Sequence, residues 1–450
     1  MKNFGNKKNE IKKLRFNQAI DFNLNRVFFL ALFCVAVIAL VPSLRPKKSE
    51  TEKRELAKFP KFSFSSLFSG DYFDNISLWY SDTFPGRDTL VKINGFMTGS
   101  FGKTSVQIHG KVEKSDDIPD KDNKSSDKKA DSSSSKPQTS EPTVPPAKSV
   151  ENLGAILLID NSAYEYYNFN QGIAERYNAC VNRAADSLSN ISNLYDIIVP
   201  TAIGVTAPDD VIANINSSNQ KKAIDYFYSC MGDNVKKVDA YSALRAHRNE
   251  YLYFRTDHHW TALGAYYTYD ALMKAKGVTP APLSAFTEKK FEGFLGTFYA
   301  QSGKLPRLAA TPDTVFAYEP KQVTQMTTKS ENGAETQRPI IGNADNMGPS
   351  SKYLAFIGGD QPFGIIENPE IADNSACIVV KESFGNAFVP FLTQNYHKVY
   401  VVDYRYFSKI DQRKLSQLAA DTGAKDVIFI NNISATRNSA LVDLLGNLVG

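Results

Sequence analysis

The sequence predicts an α/β domain in three αβα layers, with a mostly parallel sheet and one N-terminal transmembrane helix. Short apolar strands alternate with helical segments after residue 149, which is typical of a parallel sheet covered by helices on both faces. The chain has 450 residues and 42% hydrophobic content, so it can bury a sizeable core. An unbroken apolar run near the N-terminus predicts the transmembrane helix.

Residues 1–26 form a basic tail that we expect to lie in the cytoplasm. They carry a net charge of +5, whereas the whole chain carries +4, so everything after residue 26 carries about −1. No global basic field remains on the rest of the chain, and nucleic acid is therefore not a predicted partner.

Residues 27–44 are predicted to be an uncleaved transmembrane anchor. The eighteen residues are apolar without interruption up to residue 41, and as a helix they would span roughly 27 Å, close to the thickness of a bilayer core. A cleaved signal peptide and a buried helix are the alternatives. The long charged segment before the run and the absence of a small-residue cleavage site favour the anchor. Basic residues flank both ends and do not set the orientation. The short tail and first position in the chain place the N-terminus in the cytoplasm, which makes this a single-pass protein of the cell membrane.

Residues 45–113 are expected to form a connector and the N-terminal part of the catalytic domain. Within them Trp79, Phe84 and Leu90 surround the turn at Pro85-Gly86 and are predicted to pack as a docking element, with direct substrate contact as the alternative.

Residues 114–148 contain no aromatic residue and are rich in Ser, Lys, Asp and Pro. Such a segment cannot bury enough apolar area to offset its conformational entropy, so we predict a disordered linker.

The remaining residues, 149–450, are predicted to form the catalytic domain. Predicted strands cover residues 154–160, 195–200, 235–239, 251–254, 353–357, 376–380, 399–403 and 426–431. Predicted helices cover residues 171–189, 210–230, 260–276, 387–394, 408–422 and the C-terminal segment to residue 450. Residues 278–351 interrupt the alternation with many Gly and Pro residues, and an insertion this long is typical of a cap or binding surface.

The segment Tyr253-Phe254-Arg255-Thr256-Asp257-His258-His259-Trp260-Thr261 carries the first candidate site residues. In an extended segment, residues two apart share a face, so Asp257 can orient His259 while His258 points the other way. A carboxylate paired with an imidazole supplies two of the three members of a catalytic triad, in which the third member is the nucleophile.

Ser383 is the candidate nucleophile. It follows the predicted strand 376–380 and precedes a helix, and ligands of α/β sheets bind at the carboxyl ends of strands. We expect Ser383 to attack an ester carbonyl, His259 to remove and return the proton, and Asp257 to hold the imidazole tautomer. The Ser383 backbone N–H and the Asn386 side chain are the predicted oxyanion donors.

Two other interpretations of these residues stay open. Asp257, His258 and His259 could ligate a metal in a phosphoesterase, although Asp160, Asp239, Asp360 and Asp403 show no ligand spacing that would complete such a site. The residues could also belong to a non-catalytic, anchored glycan-binding or assembly protein.

The cysteines do not have the spacing of a zinc site. A disulfide between Cys180 and Cys230 is an open pairing. We predict no cofactor.

The segment Thr256-Asp257-His258-His259-Trp260-Thr261 resembles the signature of the DHHW proteins. These are similar to the membrane-anchored alginate O-acetylation proteins of the SGNH-hydrolase-like superfamily. The segments 381–387 and 81–87 also fit that pattern, so the resemblance runs from about residue 54 to the C-terminus.

The resemblance implies an SGNH-hydrolase-like domain with permuted motif order, with Asp257, His259 and Ser383 as catalytic residues. It also implies transfer of acetyl groups to a polysaccharide outside the cytoplasm, with a membrane-bound O-acyltransferase as the partner that supplies acetyl. A cell-wall or capsular glycan is the expected acceptor. Four neighbours are expected to contact substrate or support the site: Arg255, His258, Trp260 and Glu382.

Overall fold

The computed structural model describes residues 45–49, 54–62, 72–73, 76, 79–80, 83–85, 115–119, 150–152 and 156–450. The chain divides into two compact units, Met1–Thr104 and Ser105–Gly450. The predicted basic tail 1–26 and transmembrane anchor 27–44 lie outside the described residues. Among the residues that are described, no helix has the length and apolarity needed to cross a membrane.

In the described part of the first unit, an arginine side chain lies over an aromatic ring. A short antiparallel pair joins β1 (Lys48–Ser49) to β2 (Arg54–Glu55). The Arg45 guanidinium lies 3.9 Å from the centre of the Trp79 ring and donates a 2.7 Å hydrogen bond to Thr83 Oγ1. Trp79 is thus packed within this unit, as predicted for the docking element, while Leu90 lies outside the described residues.

The centre of the second unit is an eight-stranded mixed sheet in the order β11-β10-β12-β14-β13-β15-β6-β7. Strands β14, β13, β15, β6 and β7 are parallel, and β12, β10 and β11 extend the sheet in antiparallel fashion. The α/β class is confirmed, but the sheet is mixed. The strands of this unit are β3 (Val150–Asn152), β4 (Ile156–Ile159), β5 (Ser162–Glu165), β6 (Asn193–Val199), β7 (Val235–Lys237), β8 (Phe286–Phe294), β9 (Asp313–Pro320), β10 (Gln325–Lys329), β11 (Glu335–Pro339), β12 (Phe363–Glu367), β13 (Ala376–Lys381), β14 (Lys398–Asp403) and β15 (Asp426–Asn432).

Helices lie on both faces of this sheet. The α-helices are α1 (Gln171–Leu188), α2 (Ala202–Val205), α3 (Asp209–Ile212), α4 (Gln220–Cys230), α5 (Ala240–Ala246), α6 (Ala262–Ala275), α7 (Thr297–Gln301), α8 (Pro306–Ala309), α9 (Gly385–Leu392), α10 (Leu415–Thr422) and α11 (Ser439–Val449). Short 3₁₀ helices cover Leu283–Ala285, Pro349–Ala355, Phe407–Lys409 and Ala435–Arg437.

Two hydrophobic cores, one on each face, explain why the central strands are apolar without alternation. Val379 and Ile428 belong to the core that contains α6 and α9. Val380 and Phe429 belong to the opposite core, which contains α1, α4, α10 and α11. Successive residues of β13 and β15 therefore enter different cores, as expected for parallel strands buried on both sides. The predicted three-layer arrangement follows from this packing.

Several predicted elements differ from the structure. The helix predicted at 210–230 is two helices, because Asn219 accepts a 2.9 Å hydrogen bond from Lys222 N and starts a new one. The strand predicted at 154–160 belongs to a separate antiparallel sheet, β3-β4-β5. The strand predicted at 353–357 is a 3₁₀ helix that ends before a left-handed turn at Gly358 and Gly359. Short apolar runs do not distinguish these outcomes.

Within the insertion the structure has four strands, whereas the linker is described only at residues 115–119. Within 278–351, β8 pairs with β9, and β10 and β11 join the main sheet. At the start of the linker, Asp116 N donates to Phe169 O over 2.9 Å, so this end is held against the domain. The rest of 114–148 lies outside the described residues. Cys180, Cys230 and Cys377 are free, which corrects the possible Cys180–Cys230 disulfide.

Asp196 on β6 makes stability depend on pH. The side chain is fully buried and its Oδ1 accepts a 2.7 Å hydrogen bond from the Tyr177 hydroxyl. Burial raises the pKa of Asp196 to about 7. The folded protein therefore holds the Asp196 proton more tightly than the unfolded chain, in which the pKa is about 4. This difference in proton binding adds fully to the free energy of unfolding below pH 4. The contribution falls as the pH rises and is lost above pH 7.

We therefore expect Asp196→Asn to flatten the pH dependence of stability. Between pH 5 and pH 8 the wild-type free energy of unfolding should fall relative to the variant, by on the order of a few kcal/mol. Urea unfolding of both proteins at the two pH values measures this difference. Asp225→Asn, on the exposed face of α4, is the control. Parallel pH profiles for the wild type and Asp196→Asn would contradict the assignment.

Candidate active site

The loop that carries the candidate histidines is held by a buried carboxylate from the insertion. Asp313, fully buried at the start of β9, accepts hydrogen bonds from Arg255 N at 3.0 Å, Thr256 N at 2.7 Å and Thr256 Oγ1 at 2.6 Å. The predicted aromatic strand 251–254 is reduced to one bridge, between Tyr253 and Trp260. No local pattern in the sequence distinguished Asp313, because its partners lie more than fifty residues away.

A continuous chain of hydrogen bonds links the three predicted catalytic residues. His259 Nδ1 lies 2.6 Å from Asp257 Oδ1, and His259 Nε2 lies 2.8 Å from Ser383 Oγ. These distances suit proton transfer between a hydroxyl and an imidazole whose second nitrogen is paired with a carboxylate.

The local geometry that joins Asp257 to His259 is a turn and not an extended strand. Asp257 Oδ1 also accepts a 3.0 Å hydrogen bond from the backbone N–H of His259, a contact typical of aspartate in turns. His258 consequently does not point away. Its ring lies against His259, with the ring centres 3.8 Å apart.

Asp257 is held as an anion. Its Oδ2 accepts hydrogen bonds from Thr297 N at 2.8 Å and Thr297 Oγ1 at 3.1 Å, and the residue is 3% exposed. Burial by itself would raise the pKa of this carboxyl. The neighbouring His259 and His258 and the hydrogen bonds outweigh burial, and the pKa lies well below its usual value. The carboxylate can therefore fix the proton of His259 on Nδ1 across the neutral pH range.

The turn that presents Ser383 is fastened by Glu382. The Glu382 carboxylate accepts from Phe384 N at 3.1 Å and from Asn432 N, at the end of β15, at 2.9 Å. Its Oε2 also lies 3.2 Å from Ser383 Oγ. Glu382 is almost fully buried, so its role is to hold the backbone of the turn that carries Ser383.

Of the two predicted oxyanion donors, only the backbone group is uncommitted. Among the described residues, no acceptor receives the Ser383 backbone N–H. The Asn386 amide instead donates to Asp360 Oδ1 over 2.9 Å, and this side chain is 1% exposed. The oxyanion role of Asn386 stays a prediction, with Asp360 as a competing acceptor.

The other predicted neighbours are one buried support, Trp260, and two partly exposed side chains, Arg255 and His258. Trp260 is fully buried and donates from Nε1 to Phe384 O over 2.9 Å, so it packs under the nucleophile turn. Arg255 donates to Pro312 O over 3.1 Å and lies over the Tyr251 ring. The side chains of Arg255 and His258 are 35% and 32% exposed, and the His258 ring lies directly against His259.

Tyr353 is a site residue that the sequence did not indicate. Its ring stacks on His259 with centres 3.9 Å apart, and its hydroxyl donates to Ser383 O over 3.1 Å. Tyr353 thereby fixes the plane of the imidazole and the backbone of the nucleophile at once. The sequence placed this residue in a strand, where its side-chain contacts could not be foreseen.

The metal interpretation competes with these hydrogen bonds. One ligand atom from each of Asp257, His258 and His259 lies within 4.8 Å of the others, so the set could hold a cation. Both Asp257 oxygens already accept two hydrogen bonds each, and His259 is held between Asp257 and Ser383. A metal would have to break that chain, so the residues fit acyl transfer better.

Gly296 lies against the Asp257 carboxylate, and a methyl group there would overlap it. We expect Gly296→Ala to displace Asp257 and lower the rate of Ser383 acylation by roughly 10²-fold, the usual cost of a 1 Å misplacement. Gly348→Ala is the matched control, since its added methyl group meets open space. The measurement is the acylation rate with p-nitrophenyl acetate. Equal rates for the two variants would contradict the contact.

Comparison with known proteins gives a family match and fold matches. The family model described as DHHW protein matches residues 52–135 and 132–402. A crystal structure of a DHHW family protein from Eubacterium siraeum is 28% identical and covers 68% of this chain and 100% of its own, with a TM-score of 0.61. Bacillus cereus PatB1 is 20% identical and covers 63% of this chain and 95% of its own, with a TM-score of 0.52.

A third solved structure is more distant. The O-acetyltransferase domain of Pseudomonas putida AlgJ is 16% identical and covers 65% of this chain and 96% of its own, with a TM-score of 0.31. No curated protein matches the chain. The first two structures share the fold described above.

Proposed function

Because the chain belongs to the DHHW protein family, we propose that it is an O-acetyltransferase, or the closely related esterase, that acts on a cell-wall or exported polysaccharide. We propose further that it is anchored in the cell membrane by residues 27–44, with the catalytic domain outside the cytoplasm. A membrane-bound O-acyltransferase is the proposed partner that supplies acetyl groups.

The observation that carries the chemistry is the unbroken hydrogen-bond chain from Asp257 through His259 to Ser383. In the first half-reaction Ser383 Oγ attacks the acetyl carbonyl, and its proton moves to His259 Nε2. The bond to the donor oxygen then breaks, and that oxygen leaves with the proton. Asp257 stabilises the imidazolium that forms between these steps. The Ser383 backbone N–H, which no described group accepts, is the proposed donor to the oxyanion.

In the second half-reaction an acceptor hydroxyl attacks the acetyl-serine. Its proton passes to His259 Nε2 and then to Ser383 Oγ as the serine ester bond breaks. If water attacks, the protein is an esterase, and if a sugar hydroxyl attacks, it is a transferase. Both reactions use the same three residues, so the acyl-enzyme is the common prediction.

The test is formation of acetyl-Ser383 in the full-length protein held in detergent micelles. Wild type, Ser383→Ala and His259→Ala are incubated with p-nitrophenyl acetate and examined by intact mass and peptide mapping. We expect an acetyl adduct on Ser383 that is absent from Ser383→Ala and slow to form in His259→Ala. Protein that is folded, yet forms no adduct and releases no nitrophenol, would instead support a non-catalytic glycan-binding or assembly role.

A further inference from the structure

The candidate site contains a second imidazole that the Ser383, His259 and Asp257 chain does not use. His258 Nδ1 lies 2.6 Å from Thr297 Oγ1, and the Thr297 hydroxyl donates to Asp257 Oδ2 over 3.1 Å. A hydroxyl has one proton to donate, so Thr297 must accept its other hydrogen bond from His258. The proton of neutral His258 is therefore on Nδ1, and Nε2 carries a free lone pair.

His259 has the same tautomer for a parallel reason. Its Nδ1–H is bound to Asp257 Oδ1, which leaves Nε2 to accept from Ser383. Asp257 thus sets the tautomer of both rings, directly for His259 and through Thr297 for His258.

The Nε2 atoms of the two rings both lie on the side away from Asp257. His258 Nδ1 is 3.9 Å from Asp257 Oδ1, and the two ring centres are 3.8 Å apart. Both Nδ1 atoms face Asp257, so each Nε2 lies on the far side of its ring from that carboxylate, and His259 Nε2 meets Ser383 Oγ there.

His258 Nε2 is available to a ligand. Within the part of the chain that the structure describes, no side chain or backbone group binds this nitrogen, and the His258 side chain is 32% exposed against 9% for His259. Burial, and then the neighbouring His259, lower the pKa of His258. The ring is accordingly neutral, with its lone pair free, at neutral pH.

We propose that the two Nε2 atoms bind adjacent hydroxyl groups, so that the acceptor is a vicinal diol of a sugar ring. This inference rests on the proposed function and names its acceptor. The first hydroxyl attacks the acetyl-Ser383 carbonyl and gives its proton to His259, which returns it to Ser383 Oγ as the ester bond breaks. The second hydroxyl donates a hydrogen bond to His258 Nε2 and keeps its proton.

A diol is favoured over a single hydroxyl because only the diol gives His258 Nε2 a hydrogen-bond donor. A bound alcohol displaces water from the site, and a simple alcohol then leaves His258 Nε2 without a donor. Once a bound acceptor covers His258 Nε2, an unpaired lone pair there is costly, whereas the second hydroxyl of a diol replaces the lost water. Discrimination of at least about tenfold between the two acceptors follows.

The experiment compares two small acceptors on the full-length protein. Acetyl-Ser383 is generated with p-nitrophenyl acetate, and transfer to cis-1,2-cyclohexanediol or to cyclohexanol at equal concentration is quantified by mass spectrometry. We expect wild type to prefer the diol at least about tenfold. His258→Asn keeps a donor for Thr297 but has no atom at the Nε2 position, and His258→Phe keeps only the ring, so both should lose the preference. His258→Gln, whose amide oxygen can reach the Nε2 position, should regain part of it.

The outcomes separate this inference from the proposed function. Equal transfer to both acceptors by wild type, or a diol preference that His258→Asn and His258→Phe retain, overturns the diol site and leaves the acetyltransferase standing. Failure to form acetyl-Ser383 overturns the function and this inference with it. His247→Asn, on the surface at the end of α5, is the matched control and should keep the wild-type preference.

Discussion

Replacing Asp257 by Asn should slow acetylation of Ser383 by about 10⁴-fold while the protein stays folded. In the wild type, Thr297 N donates to Asp257 Oδ2 over 2.8 Å, and the amide oxygen of the variant can still accept this hydrogen bond. It can no longer hold the His259 proton on Nδ1, and the proton moves to Nε2, the nitrogen that must accept from Ser383. The imidazole would then be in the wrong tautomer to act as a base.

Pre-steady-state release of nitrophenol from p-nitrophenyl acetate measures this effect. Asp345→Asn, an exposed aspartate on the surface, serves as the control and should acylate at the wild-type rate. Circular dichroism of both variants establishes that they are folded. A folded Asp257→Asn protein that acylates within tenfold of wild type would show that Asp257 does not orient the base.

The second large effect concerns the buried charges beneath the nucleophile. Lys381, the residue before Glu382, is fully buried and binds Asp403 Oδ2 at 2.8 Å. Arg405 binds the same Asp403 oxygen at 2.6 Å and Asp360 at 2.9 Å. Neutralising Asp403 removes the nearest carboxylate of buried Lys381 and leaves only Asp360, 3.7 Å away, so Asp403→Asn should cost about 3–5 kcal/mol of stability.

The chain offers a closely matched control for this prediction. Asp411 and Arg413 repeat the spacing of Asp403 and Arg405 but lie on the surface, with a 2.6 Å contact and partly exposed side chains. Asp411→Asn should therefore cost no more than about 1 kcal/mol. Urea unfolding compares the two variants. Adding Lys381→Met to Asp403→Asn removes the buried cation that has lost its nearest carboxylate and should restore part of the loss. Equal losses for the Asp403 and Asp411 variants would mean that the buried network carries little stability.

The sequence predicted those features that local pattern determines. The central strands at 195–200, 376–380, 399–403 and 426–431 are close to the observed ones, because residues buried on both faces leave long apolar runs. Ser383 and His259 were identified by residue type and by position beside strands and helices. The structure then brings them within 2.8 Å of each other.

The residues that the sequence did not predict act through distant contacts. Thr297 and Asp313 come from the insertion and bind the loop at Asp257 and Thr256. Tyr353 belongs to an apolar aromatic run whose period does not separate a strand from a 3₁₀ helix. Trp260 and Arg255 were expected either to contact substrate or to support the site. Their side chains donate to Phe384 O and Pro312 O, partners that only the tertiary fold could reveal.

The pairing of β6 with β15 determines when the site can form during synthesis. Asn193 and Asp426, at the starts of the two strands, are separated by 233 residues yet bound to each other. Such long-range pairs form late, because the chain must first close a large loop. Asn432, at the end of the same last strand, supplies an N–H that fastens Glu382 and the nucleophile turn. A nascent chain that already contains Asp257, His259 and Ser383 still lacks β15, so we expect Ser383 to be acylated only after residues 426–432 have been synthesised.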